Sequence, residues 1–219
     1  MVRFVTLGMG AQASPRFAPA GLLIEYGLRS RPTVRVMIDG GPGAAPSGPI
    51  DAWLTTDPTG ELMPAIRRLA RALGLIPGLG PFNKDGLAIA CKPVRHTNHR
   101  TYGCLIAVNG QRAVWAPEFF AFPRWARNAD LMFAEASAWN RPIRFVGGIG
   151  GHMPVLVVAE AAQRAKIKRL VFAHVGRPTI RAIERGEKPP FGEFAHDGQV
   201  FRLSPKRGQP RGAGWQRGQ

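Results

Sequence analysis

What most constrains the fold is the length of the apolar runs. Val2–Leu7, Leu22–Tyr26, Val34–Ile38, Ile50–Leu54, Leu87–Val94, Leu105–Val108, Ala113–Trp115, Leu131–Glu135 and Leu170–Ala173 are all short, and four of the nine run directly into Gly, Asn or Asp. Runs of that length bounded by turn residues read as β-strands. The 27 glycines and 20 prolines lie between them as punctuation, and Asn109-Gly110 marks a tight hairpin. Helical spacing occurs at Met63, Ile66, Leu69, Ala70 and Leu73, again in Val155–Ala165, and briefly in Thr179–Arg185. Residues 75–86 read as a Gly/Pro-rich loop. Strands precede a helix, more strands follow, then helix and strand again. This order predicts an α/β protein with a two-sheet core and helices packed outside, rather than a regular parallel sheet.

Length and charge set further bounds. The 219 residues are 45% hydrophobic, enough for one domain, expected over residues 1–203. No apolar run approaches about 18 residues and the N-terminus has no signal-peptide pattern, so a soluble cytoplasmic protein without a membrane partner is expected. The 30 Lys and Arg exceed the 14 Asp and Glu by 16 charges. Such a surface attracts anions: a small phosphate-bearing molecule, a nucleotide, or nucleic acid. Residues 204–219 (SPKRGQPRGAGWQRGQ) have no acid and few apolar groups, and read as a disordered basic tail. The two cysteines, Cys91 and Cys104, form no zinc-ribbon spacing and read as buried free thiols. A homodimer is left open.

Six residues carry candidate chemistry. In the stretch LTTDPTGEL, Asp57 and Glu61 flank a Pro/Gly turn, where a carboxylate serves either the turn or a cation. Asp57 or Glu61 also suits the cap of the helix beginning near Met63. His96 sits in a polar loop, where solvation is the ordinary fate of a histidine. Glu118 lies between an apolar strand and two phenylalanines and needs a partner, metal or arginine, if buried. His152 follows four glycines of the stretch GGIGG and precedes Pro154, a first-turn residue at a predicted helix start. His174 ends an apolar strand, with Arg177 beyond it.

The order of these pieces resembles that of metallo-β-lactamase-fold hydrolases, particularly the ribonuclease Z and cyclic-phosphodiesterase branch. The chain offers VTLGMGAQASPR, then VMIDGGPG, then TDPTGEL where the family has Thr-His-x-His-x-Asp-His, then VRH, WAPE, Gly151-His152-Met153 and VFAHVGRP. The resemblance implies an αββα sandwich with a metal site at the rim of its sheets. It places His96, Glu118 and His174 among the metal ligands and gives His152 acid catalysis or phosphate contact. The family's zinc turn is altered: Asp57 and Thr59 replace two histidines, Glu61 replaces the aspartate and Leu62 the last histidine.

The implied cofactor is therefore one divalent ion, zinc or manganese, held by His96, Glu118, His174 and one of Asp57 or Glu61. Oxygen-rich ligation favours manganese or magnesium over zinc. The implied activity is hydrolysis of a phosphodiester or related ester, with Asp57 or Glu61 orienting water and His152 as acid. Equally open is a metal-free member of the fold that binds an anion, a cofactor or nucleic acid.

Overall fold

The computed structural model describes residues 1–28, 32–96, 99–148 and 150–203. The basic segment 204–219 lies outside them.

One sheet has five strands in the order β14-β1-β2-β3-β4, namely Val200–Leu203, Val2–Gly8, Gly21–Gly27, Pro32–Asp39 and Ala52–Leu54. The second has seven, β13-β12-β9-β8-β7-β6-β5: Glu193–Phe194, Leu170–Val175, Leu131–Ala136, Gln111–Ala116, Thr101–Val108, Leu87–Val94 and Phe82–Lys84. A two-stranded ribbon joins β10 (Ile143–Arg144) to β11 (Gly151–His152). The helices are α1 (Met63–Ala72), α2 (Val155–Arg164) and α3 (Arg177–Glu184).

Side-chain alternation makes the layers. In β1, Val2, Phe4 and Thr6 are buried while their neighbours are half-buried, as a period of two requires. Phe4, Ile24, Val36, Ile106, Trp115 and Phe133 from the two sheets meet in a central core. The opposite face of the first sheet, through Leu23, Met37 and Trp53, takes Met63, Ile66 and Ala70 of α1. The outer face of the second sheet presents Val114, Met132 and Phe172 to α2 and α3. Each large apolar side chain so buried contributes roughly 1.5–3 kcal/mol. The result is the four-layer αββα sandwich.

Four expectations change. Cys91 and Cys104 face one another across β6 and β7 and form a disulfide; a spacing of 13 residues is silent about strand register, which alone brought them together. The 75–86 loop contains β5, and β13 and β14 close the sheet edges; two- to four-residue strands lack periodicity to read. Gly151-His152 is strand, not the start of a helix: Pro154, extended, precedes α2. Neither Asp57 nor Glu61 caps α1, whose N-cap is Leu62 without a side-chain bond.

Candidate metal and acid site

The carboxyl ends of several strands converge at one rim. Strands β8, β9 and β12 run parallel and adjacent, so Glu118, the Glu135–Ser137 segment and His174 arrive together. At His174 the β12 register slips between Ala173 and Val175, and the residue has φ 57°. A bulge with a left-handed residue re-aims a side chain at a cost on the order of 1–3 kcal/mol. Asp39, ending β3, is also left-handed at φ 55°.

Glu118 is the centre of the arrangement. Its Oε2 lies 2.8 Å from His96 Nε2 and its Oε1 3.2 Å from His174 Nε2. Each imidazole is already engaged at its other end. His96 Nδ1 donates to the Gly151 carbonyl at 2.9 Å. A side chain at Gly151 would collide with the Ile143 carbonyl, so glycine is required where β11 pairs closely with β10. His174 Nδ1 donates to Ser137 Oγ at 2.7 Å, and Ser137 Oγ donates in turn to the His174 carbonyl at 3.1 Å. In a neutral ring with Nδ1 protonated, Nε2 presents a lone pair. Two such lone pairs aimed at one carboxylate call for positive charge between them, a proton on each ring or a metal ion. The electrostatics agree. Burial alone raises the Glu118 carboxyl, but His174 and His96 outweigh it and hold it near 2. Burial opposes charge on His174, yet Glu118, Glu135 and Asp39 push it up to about 9. His96 is raised as well, Glu118 overcoming its desolvation.

His152 is held differently. Its Nδ1 donates to Glu135 Oε2 at 2.7 Å. Glu135 is fully buried and also accepts from the Phe119 N–H at 3.1 Å and the Ser137 N–H at 2.7 Å. Despite its burial, His152 and His174 keep this carboxyl well below the ordinary range. His96, Glu135 and His152 also place ligating atoms within 4.8 Å of one another. Glu135 already receives three donors, however, so it better serves as the clamp of His152 than as a ligand.

The opposite wall comes from the turn after β4. Asp57 Oδ1 accepts from Thr59 N–H and Oγ–H at 3.1 and 3.2 Å. His99 Nε2 lies 3.0 and 3.1 Å from its two oxygens. Gly60 leaves room for that carboxylate, because a Cβ there would sit 3.0 Å from it. Asp39 ties the turn to the core, accepting from Thr56 N–H (2.6 Å), Thr56 Oγ–H (2.6 Å) and Trp115 Nε1–H (2.7 Å). Burial pushes Asp39 up to about 6 against those three donors.

Asp57, Glu61, His96, Glu118, His152 and His174 all line one cavity of about 680 Å³. Asp57 and Glu61 stand on the turn with Thr59 and Leu62, and Asp57 bonds to Thr59 and His99 rather than to the Glu118 cluster. Sequence reasoning gave no role to Glu135, Ser137 or His99, and met Asp39 only inside the VMIDGGPG motif. Glu135 had a signal, a lone acid inside the apolar run LMFAEA; His99, in a polar loop, had none.

Known structures share this frame at low identity. The metallo-β-lactamase-fold protein YhfI from Bacillus subtilis superposes with a TM-score of 0.70 at 15% identity, over 92% of this chain and 100% of that one. The chain has the metallo-β-lactamase fold. A diphosphatase of the PhnP family reaches a TM-score of 0.70 at 16% identity, over 94% and 99% of the two chains. The short form of human tRNase Z reaches 0.65 at 14%, over 92% and 99%. No protein-family model and no curated protein sequence matches this metallo-β-lactamase-fold chain. Among the described residues, no helix is long and apolar enough to cross a membrane.

Proposed function

We propose that the protein is a hydrolase of a phosphodiester or related ester, built around one divalent ion, zinc or manganese. His96, Glu118 and His174 would hold the ion, with Asp57 or Glu61 facing it across the cavity. The observation that carries this reading is the Glu118 carboxylate between two Nε2 atoms whose Nδ1 ends are both fixed. Fixed Nδ1 partners are what orient imidazoles as ligands. When bound, the ion supplies Lewis-acid polarisation of the ester and makes water a better nucleophile near neutral pH.

The chain's own groups do the rest. Glu135 holds His152 through Nδ1, leaving Nε2 to carry the proton that a leaving oxygen takes up. Arg177 and the Gly176 end of α3 line the same cavity, and a guanidinium at a helix N-terminus suits a phosphate oxygen. A diphosphatase and a tRNase among the structural neighbours support an anionic substrate.

A second reading is a metal-free binding module. It is favoured by the turn itself: Leu62 packs against the α1 core and Asp57 is bound by Thr59 and His99. Metal analysis of protein purified without chelator, with hydrolysis of a chromogenic phosphodiester, separates the two. About one equivalent of metal and metal-dependent turnover are expected. Absence of metal, with no rescue by added zinc or manganese, leaves the binding module.

A further inference from the structure

Behind the wall that carries His96 and Glu118 lies a second charged feature. The guanidinium carbons of Arg95 and Arg144 stand 5.7 and 5.5 Å from the centroid of one ring, Phe120. The Phe120 N–H also donates to the Arg95 carbonyl at 2.6 Å, fixing ring and arginine to one another. None of the three lines the cavity. Arg95 precedes buried His96, and Arg144 lies between Ile143 and Phe145, which do line it. Arg95 is exposed where His96 is buried, and Arg144 is exposed between two half-buried neighbours, so both arginines face away from the cavity.

Both arginines are exposed, and neither is in an ion pair with a carboxylate of the described residues. The stack of Arg169 on Phe201 makes the contrast, because Glu193 binds that guanidinium at 2.6 Å. Stacking on a ring leaves the edge of a guanidinium and its N–H donors facing outward, already ordered. Each such fork can bind the oxygens of one phosphate.

We propose that Arg95, Phe120 and Arg144 form a binding platform for polyphosphate-type anions, outside the cavity. Its ligand carries more than one phosphate and is read through phosphate oxygens, whether those belong to a free polyphosphate, a nucleotide or a nucleic-acid strand. Occupancy bears on the backbone of residues 95 and 118–120, and so on the wall that holds His96 and Glu118. The platform does not depend on the hydrolase reading.

Isothermal titration of the full chain with inorganic tripolyphosphate, ATP and a short oligothymidylate tests it. The double variant Arg95→Ala/Arg144→Ala is set beside Arg67→Ala/Arg71→Ala, which removes equal charge from exposed positions on α1. The first should weaken all three ligands by about tenfold, through loss of two charge-assisted forks. The control should stay within about twofold, as expected for screened surface charge. Phe120→Leu keeps both charges and should cost about threefold by releasing the stack. Equal weakening by the two double variants would assign the affinity to net charge. Weakening confined to the oligothymidylate would assign the face to base stacking. Either result overturns the platform, whether or not the cavity proves hydrolytic.

Discussion

The two walls of the cavity solve different problems. On the second-sheet side, each of three imidazoles has a partner behind it: Gly151 for His96, Ser137 for His174, Glu135 for His152. On the turn side, Asp57 is engaged by its own turn and by His99, and Leu62 is part of the α1 packing. One wall is braced to present nitrogen lone pairs, and the other braces itself. The two walls are not independent, because Asp39 joins Thr56 of the turn to Trp115 of the second sheet and His99 reaches Asp57.

Four substitutions probe this contrast, in descending size of effect. Glu118→Ala removes the carboxylate shared by both Nε2 atoms and should lower metal affinity by more than about 100-fold, measured by competition with a chromogenic chelator. Retained affinity would move the site elsewhere. Glu135→Gln keeps the shape but weakens the grip on His152. Turnover should fall by about 100-fold while metal content is unchanged, and joint loss of both would make Glu135 part of the metal site.

Asp39→Asn tests the brace beneath the turn through pH. The folded Asp39 lies near 6, above its unfolded value of 3.8. Its contribution to stability is therefore fully present below about 3.8 and lost as pH rises through about 6. Between pH 7 and pH 4 the wild type should gain on the variant, by on the order of 5 °C in melting temperature. A constant gap would mean that Asp39 titrates normally. Asp57→Ala should be mildest for the metal, weakening it by less than about tenfold, since the carboxylate already serves Thr59 and His99. A loss as large as that of Glu118→Ala would show that both walls hold the ion.

Much of this site was legible beforehand, and the limits are physical. His96, Glu118, His152 and His174 stand at segment ends where strands hand over to loops, and the order of motifs placed them in one cavity. Glu135 could have been read too, since an acid inside a six-residue apolar strand must be partnered. His99 could not, because nothing local says that the β6–β7 loop folds back onto Asp57. The Cys91–Cys104 bond was misread for the same reason: cross-strand neighbours depend on register.

The sequence by itself determined the layered architecture, since alternation and helical spacing dictate which faces are buried. It also determined which chemistries were on offer. Only the tertiary structure decided how those groups pair. The choice of Nδ1 partners for His96, His152 and His174, and the turning of Asp57 toward His99, follow from distances of about 3 Å between segments far apart in the chain. Hydrogen bonds are selective over tenths of an ångström, whereas hydrophobic burial is not directional.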